Sequence, residues 1–98
     1  MSQRITAVAV LRARAGREAE MREQARSMVA ASLAEPGCLS YRNYVDPDDP
    51  RAWVVVEEWE TREAFEAHLA SPHLTRSLER TAELLDGPPE LRVLTAAG

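Results

Sequence analysis

Two imidazoles, a carboxylate and an indole lie close together between residues 57 and 73, and they are the side chains of this chain best suited to chemistry. His68 is a candidate general base, since an imidazole changes charge near neutral pH. Glu57 could orient this base and stabilise its charged form. Trp59 offers a flat apolar wall for an aromatic ring, and His73 could bind a substrate oxygen or relay a proton. The stretch therefore indicates a pocket for proton transfer on an aromatic molecule.

The strand that ends at Trp59 and the helix that follows it place these side chains together. Glu57 and Trp59 share one face because side chains alternate along a strand. Phe65 and His68 are three residues apart, so both turn toward the sheet if the helix packs on that face. The preceding strand supplies weaker candidates for the pocket lining: Tyr41, Asn43 and Tyr44.

Each of these residues also has a purely structural interpretation. Trp59 could be a core anchor, His68 a satisfied core or surface histidine, and His73 a residue that only starts a helix. Glu57 and Glu58 are neighbours on a strand, so both cannot face inward. The two histidines are five residues apart, which is not the i, i+4 spacing of a helical zinc site, and we expect no metal.

The elements around the site must fit into one small domain of 98 residues, spanning 1–98. A net charge of −4 argues against nucleic acid as a partner, because phosphate binding favours a clustered positive face. The single cysteine, Cys38, allows no intrachain disulfide and favours the cytoplasm. The apolar run near the N-terminus is too short for a signal peptide or a membrane span. We therefore expect a cytoplasmic protein without a membrane partner.

The predicted elements follow the order βαββαβ, which is that of the ferredoxin-like α+β fold. Hydrophobic periodicity predicts strands at 5–13, 39–45, 52–59 and 91–95. It predicts helices at 17–34 and 62–70, the second restarting at Ser71-Pro72 and running to 85. This order predicts a four-stranded antiparallel sheet with both helical segments on one face.

The first and third strands are apolar on both faces. Val8 and Val10 alternate with other apolar residues, and Val54, Val55 and Val56 leave neither face of the third strand hydrophilic. Apolar side chains on both faces of an antiparallel sheet imply that both faces are covered. Because the helices cover only one face, we expect a homodimer packed sheet to sheet.

Four motifs, taken in order, resemble the antibiotic biosynthesis monooxygenase family, whose members are small dimeric α/β-barrel proteins with ferredoxin-like subunits. They are Glu35-Pro36-Gly37-Cys38-Leu39-Ser40-Tyr41, Glu57-Glu58-Trp59-Glu60, Ala67-His68-Leu69-Ala70-Ser71-Pro72-His73 and Leu85-Asp86-Gly87-Pro88. The quinol monooxygenase branch is the most similar, with the same Glu-x-Trp-Glu, Ala-His-Leu and Pro-His elements. The resemblance implies oxidation of a quinol-like or polyketide-type aromatic by dioxygen without a cofactor, with Glu57, His68 and His73 as catalytic residues.

At four positions this chain differs from the residues that two other branches of the family carry, which argues against the substrate binding of the first and the haem binding of the second. The aromatic polyketide branch carries an Asn and a Tyr where this chain has Val55 and Phe65. The haem-degrading branch carries an Asn and an axial His where this chain has Ala9 and Leu78.

Two alternative functions stay open. One is an isomerase or another proton-transfer enzyme that uses the same Glu–His pair. The isomerase that acts on phosphorylated autoinducer-2 also resembles this chain at that pair. The other is a dimeric ligand-binding module without turnover.

Overall fold

The computed structural model describes residues 3–98 as four strands and four helices. In chain order they are β1 (Ile5–Arg12), α1 (Glu18–Arg26), α2 (Met28–Leu33), β2 (Cys38–Asp46), β3 (Asp49–Trp59), α3 (Arg62–Leu69), α4 (Pro72–Ala82) and β4 (Glu90–Leu94). The strands form one antiparallel sheet in the order β2-β3-β1-β4. The predicted ferredoxin-like α+β fold is thus confirmed. Within residues 3–98 no helix combines the length and the apolar composition needed to cross a bilayer.

The helices cover one face of this sheet. On β3 every second side chain is buried, namely Trp53, Val55, Glu57 and Trp59. The opposite face carries Val8 paired with Val56 and Val10 paired with Val54, and these four side chains are only half-buried. We call these four residues the valine face.

The long helix predicted over 17–34 is in fact two helices. α1 ends at Arg26 and α2 begins at Met28. Between them, the Ser27 hydroxyl donates a hydrogen bond to the Gln24 carbonyl at 2.6 Å. A serine hydroxyl bound to a carbonyl of the preceding turn competes with the helical hydrogen bonds and bends helices. That local bond explains an interruption that hydrophobic periodicity does not reveal.

The turn between β2 and β3 is shorter than the predicted loop over 46–50. Asp46 already pairs with Asp49, so Pro47 and Asp48 alone make the turn. The Asp48 amide donates to the Asp46 carboxylate at 2.9 Å, which is the local bond by which Asp favours turns. β3 therefore begins three residues earlier than predicted.

The second helical segment breaks at the predicted Ser-Pro step. Thr61 caps α3 by accepting from the Ala64 amide at 3.1 Å. Ser71 caps α4 by accepting from the Leu74 amide at 3.3 Å, with Pro72 at the first helical position. The break between the two helices changes the direction of the chain between the two histidines. α4 also ends before residue 85, at Ala82, and Leu85 instead forms an isolated bridge to Ala13, the residue after β1.

Two buried apolar clusters lie between sheet and helices. The larger cluster contains Ala13, Met21, Ala25, Met28, Tyr41, Trp53, Val55, Leu84 and Leu85, and the smaller one Ile5, Ala7, Trp59 and Phe65. The His68 ring lies between them, with its centroid 6.0 Å from Tyr41 of the larger cluster and 4.6 Å from Trp59 of the smaller. The candidate site is therefore at the junction of the two clusters.

Candidate active site

His68 is a buried imidazole with a carboxylate near each ring nitrogen. Only 2% of its surface is exposed. Nδ1 lies 2.8 Å from Glu35 Oε2, and Nε2 lies 3.6 Å from Glu57 Oε1. The first distance is that of a hydrogen bond and the second is too long for one. Glu35, and not Glu57, is therefore the carboxylate bound to the imidazole.

Glu57 is instead bound by the indole two residues further along β3. The Nε1–H of Trp59 donates to Glu57 Oε1 at 2.9 Å, and both side chains are buried. Burial raises the pKa of the Glu57 carboxyl, while the Trp59 hydrogen bond and the nearby His68 oppose part of that rise. Glu57 consequently keeps its proton to a higher pH than an exposed glutamate would.

His73 approaches Glu35 from the other side. Its Nε2 lies 2.8 Å from Glu35 Oε1, the separation of an ion pair, although that oxygen makes no hydrogen bond of good geometry. Because α4 starts after the Ser71 cap, His73 and His68 reach opposite oxygens of one carboxylate. Glu57, His68, Glu35 and His73 thus form a continuous chain from the buried interior to the half-buried His73.

Glu35 was not predicted as a site residue, although its motif contributed to the family resemblance. It lies in the turn between α2 and β2, and Gly37 brings this turn close to α3. Gly37 has a φ of 83°, and a Cβ there would lie 2.6 Å from the Ala64 Cβ. A glycine is therefore needed both for the backbone conformation and for the close approach. Ala64 is one helical turn before His68, so the contact places Glu35 against the imidazole.

A cavity of about 150 Å³, which we call the inner cavity, lies between the sheet and the helices, next to Glu57 and His68. Four of the predicted residues line it: Tyr41, Glu57, Phe65 and His68. The rest of its wall is mostly apolar and includes Leu11, Val55, Leu69, Leu74 and Leu91. Burial and the nearby Glu57 raise the pKa of the Tyr41 phenol, so its hydroxyl stays protonated. His68 also borders a wider, open cavity of about 530 Å³ on the Glu35 side.

The other four predicted residues do not line the inner cavity. Trp59 has no exposed surface and lies behind Glu57 and His68. His73 points to Glu35, and the Asn43 amide oxygen is buried without a hydrogen-bond partner. Tyr44 is 48% exposed and pairs with Val54 on the opposite sheet face. It is three residues from Tyr41, and an odd spacing along a strand places two side chains on opposite faces.

Glu35, His68 and His73 are the side chains best placed to bind a metal ion in the described part of the chain. Their ligand atoms lie within 4.8 Å of one another. An ion at roughly 2.0–2.2 Å from each ligand keeps every pair within about 4.4 Å. Each histidine has a nitrogen 2.8 Å from a Glu35 oxygen, which is inside this limit. Glu35 is hydrogen-bonded to His68 and its other carboxylate oxygen lies against His73, and the absence of a metal stays a prediction.

Sequence comparison supports the resemblance that the motifs suggested. The profile of the family described as "Antibiotic biosynthesis monooxygenase" matches residues 4–80. This chain belongs to the antibiotic biosynthesis monooxygenase family. The matched range contains all eight predicted site residues as well as Glu35.

Two individual relatives match about 70% of this chain. The uncharacterised protein sll1783 of Synechocystis is 30% identical over 71 residues, which are 72% of this chain and 48% of that protein. Rv0793 of Mycobacterium tuberculosis is 34% identical over 68 residues, 69% of this chain and 66% of that protein. The chain thus spans about half of the first relative's length and just under two thirds of the second's.

Solved structures extend the similarity to the whole fold. The structure of Rv0793 superposes with a TM-score of 0.91 at 27% identity, covering 97% of this chain and 96% of that one. PA3566 of Pseudomonas aeruginosa gives a TM-score of 0.91 at 28% identity, covering 100% and 98% of the two chains. The family's α+β fold is therefore shared over nearly the full length described.

Proposed function

We propose that this protein is a cofactor-independent monooxygenase that oxidises a quinol-like aromatic with dioxygen. One observation carries the proposal: a buried imidazole, His68, borders an apolar cavity and has a carboxylate bound to its far nitrogen. Membership in a family named for monooxygenases supports the class of reaction. The quinol-like substrate and the roles of the individual residues are our inference.

The reaction begins with removal of a phenolic proton from the quinol by His68. The resulting phenolate gives one electron to dioxygen, and the two radicals combine to form a hydroperoxide on the ring. Loss of water from this hydroperoxide leaves a hydroxylated quinone. One oxygen atom enters the product, the other leaves as water, and the substrate supplies all four electrons. The protein has to supply a base and a dry pocket.

The cavity suits this sequence of steps and a small substrate. Its volume of about 150 Å³ is close to that of an engineered protein cavity that binds benzene, which favours a single aromatic ring. Phe65 offers an aromatic contact to that ring, and the apolar wall excludes water from the phenolate. Glu57, 3.6 Å from Nε2, stabilises the imidazolium that forms when His68 accepts the proton.

The proposed partner is a second copy of this chain, which would form a homodimer. The valine face leaves apolar side chains half-buried on the sheet surface that the helices do not cover. Contiguous apolar patches of this kind commonly mark protein–protein contacts. We infer the homodimer packed through this face from the sheet geometry and from the family resemblance.

Oxygen uptake with a series of hydroquinones tests the proposal. We expect chelator-treated protein to consume dioxygen with a single-ring hydroquinone, and His68→Gln to lower kcat by about 10² to 10⁴. Glu66→Gln, an exposed change on the same helix, serves as the control and should leave kcat unchanged.

Two outcomes would contradict the oxygenase proposal. One is the absence of oxygen uptake with every hydroquinone. The other is exchange of a proton next to a substrate carbonyl without any oxygen uptake, which would indicate the isomerase alternative. Glu57 and His68 at one cavity wall could also support such a proton transfer.

A further inference from the structure

Glu35 makes the hydrogen bond to His68 that the sequence pattern assigns to Glu57. We propose that Glu35 is the positioning residue of His68: by accepting from Nδ1–H it fixes the tautomer and leaves Nε2 as the nitrogen that meets the substrate. The effect on catalysis rests on the proposed function. The tautomer does not, since it is argued from the contact between an ionised Glu35 and Nδ1.

The contact with Glu35 bears on which ring nitrogen of His68 carries the proton. An ionised carboxylate only accepts hydrogen bonds, so with Glu35 ionised the 2.8 Å contact between its Oε2 and Nδ1 of His68 favours the tautomer with the proton on Nδ1. The neutral ring then has its lone pair on Nε2. Glu57 does not compete for the proton, because its nearest oxygen is 3.6 Å from Nε2 and already accepts from Trp59.

Glu35 lies in a turn with hydrogen bonds on both sides of the residue. Its backbone N–H donates to the Ser32 carbonyl at 3.1 Å, and its own carbonyl accepts from the Cys38 amide at 3.2 Å. His73 Nε2 lies 2.8 Å from the carboxylate oxygen that does not bind His68. The turn that carries Glu35 is therefore held by backbone hydrogen bonds, and a second imidazole lies against the carboxylate. A held carboxylate can orient a ring that must keep one direction during turnover.

Two aromatic rings and Glu35 together set the orientation of the His68 ring. The tilted Trp59 ring lies 4.6 Å from the His68 ring, and the edge-on Tyr41 contact at 6.0 Å borders it as well. These aromatic contacts restrict the plane of the imidazole. The hydrogen bond to Glu35 holds Nδ1, so Nε2 is the nitrogen that points away from Glu35. His68 Nε2 is consequently on the side of Glu57, which lines the inner cavity.

Proton–nitrogen NMR of ¹⁵N-histidine-labelled protein measures the tautomer directly. The chain has two histidines, so a His73→Gln sample identifies the His68 signals. In alkaline buffer, where imidazole is neutral, we expect His68 to be the Nδ1–H tautomer in the wild type and in Glu57→Gln. Glu35→Gln should retain this tautomer because its side-chain carbonyl still accepts, whereas Glu35→Ala should populate the Nε2–H form.

Steady-state kinetics then test the role in turnover. Glu35→Ala should lower kcat by about 10² or more with little change in KM, because a wrongly protonated imidazole cannot accept the substrate proton. Glu35→Gln should restore part of the lost rate, which a merely structural role would not predict. Dimeric state and unfolding midpoint, measured on each variant, show whether the fold is intact.

The outcomes separate this inference from the proposed function. An Nε2–H tautomer in the wild type, or in Glu57→Gln alone, would overturn the assignment even if oxygenase activity is present. A wild-type kcat in Glu35→Ala would also overturn it. Signals that change when a chelator is added would show metal coordination in place of the Glu35 hydrogen bond. A protein without oxygenase activity but with the Glu35-dependent tautomer would contradict only the proposed function.

Discussion

Glu57 and Trp59 act as one unit because the indole donates to the carboxylate on the same face of β3. The sequence predicts an aromatic wall for the substrate at Trp59. The structure places this ring behind Glu57 and against His68, fully buried. We therefore expect changes at Trp59 to act on the position of its two neighbours and on stability, before any direct effect on a bound ligand.

Replacing Glu57 with glutamine should flatten the dependence of stability on pH. Burial raises the pKa of Glu57 above the ordinary carboxyl value of 4.5, so just above that value the folded chain keeps a proton that the unfolded chain has released. The resulting stabilisation is fully present below the ordinary value. It is lost as the pH rises through the folded-state pKa.

Urea unfolding at a series of pH values measures this effect. The free energy of unfolding should fall with rising pH across that window in the wild type, and the fall should be smaller in Glu57→Gln. Glu60→Gln, an exposed change in the next turn, is the control and should follow the wild type. Equal slopes in Glu57→Gln and the wild type would show that this carboxyl is not desolvated.

The hydrogen bond of Trp59 can be isolated with the second tryptophan as a control. Trp59→Phe removes the donor to a buried carboxylate, whereas the Trp53 Nε1 is buried without any hydrogen-bond partner. Both substitutions shrink a buried ring by the same atoms. We expect Trp59→Phe to lower the free energy of unfolding by roughly 1–3 kcal/mol more than Trp53→Phe. Equal losses in urea unfolding would mean that the bond contributes nothing.

The turn between α2 and β2 is the element on which the site depends most. It carries Glu35, and its Gly37 lies so close to α3 that a side chain would meet Ala64. Neither α2 nor β2 alone positions the carboxylate. The position of Glu35 therefore depends on how this turn packs against α3.

Gly37→Ala should reduce both stability and activity. Gly87→Ala is the control that separates the strain of a positive φ from the clash with Ala64. Both glycines have a positive φ, 83° and 89°, which costs an alanine about 1–3 kcal/mol. A Cβ at Gly87 meets nothing within 4 Å, whereas a Cβ at Gly37 lies 2.6 Å from the Ala64 Cβ. Gly87→Ala should therefore lose stability only, while Gly37→Ala loses more stability and also kcat. Equal kcat values in the two variants would contradict the role of this turn.

At the scale of the whole molecule, the sheet has one face covered by helices and one that presents the valine face. Residues of the helix-covered face build the core and the cavity. The valine face has no such role within one subunit. Its apolar character is explained if a second sheet packs on it.

A charge on the valine face should dissociate the proposed dimer. Val54→Lys would bury an unpaired ammonium between two sheets, which is strongly unfavourable. Size-exclusion chromatography with light scattering should give a dimeric mass for the wild type and a monomeric mass for this variant. Ala19→Lys, on the exposed surface of α1, should stay dimeric. A folded wild-type monomer at micromolar concentration would contradict the dimer.

Local patterns were sufficient to predict the order of elements and four of the residues that line the inner cavity, Tyr41, Glu57, Phe65 and His68. The alternation along β3 placed Glu57 on the helix-covered face, and the caps at Thr61 and Ser71 fixed where α3 and α4 begin. The same patterns missed the break at Ser27. Periodicity reports which side chains are apolar, whereas this break depends on one hydroxyl that binds a carbonyl within the helix.

The sequence by itself thus determined the fold class, the family and the face on which Glu57 and His68 meet, because these follow from short-range periodicity and motif spacing. Only the tertiary structure decided which carboxylate binds His68. Glu35 is separated from His68 by 33 positions, and no local pattern selects it among the 16 acidic residues of the chain. The contact depends on the close packing of Gly37 against Ala64, and packing between distant segments is set by the whole core.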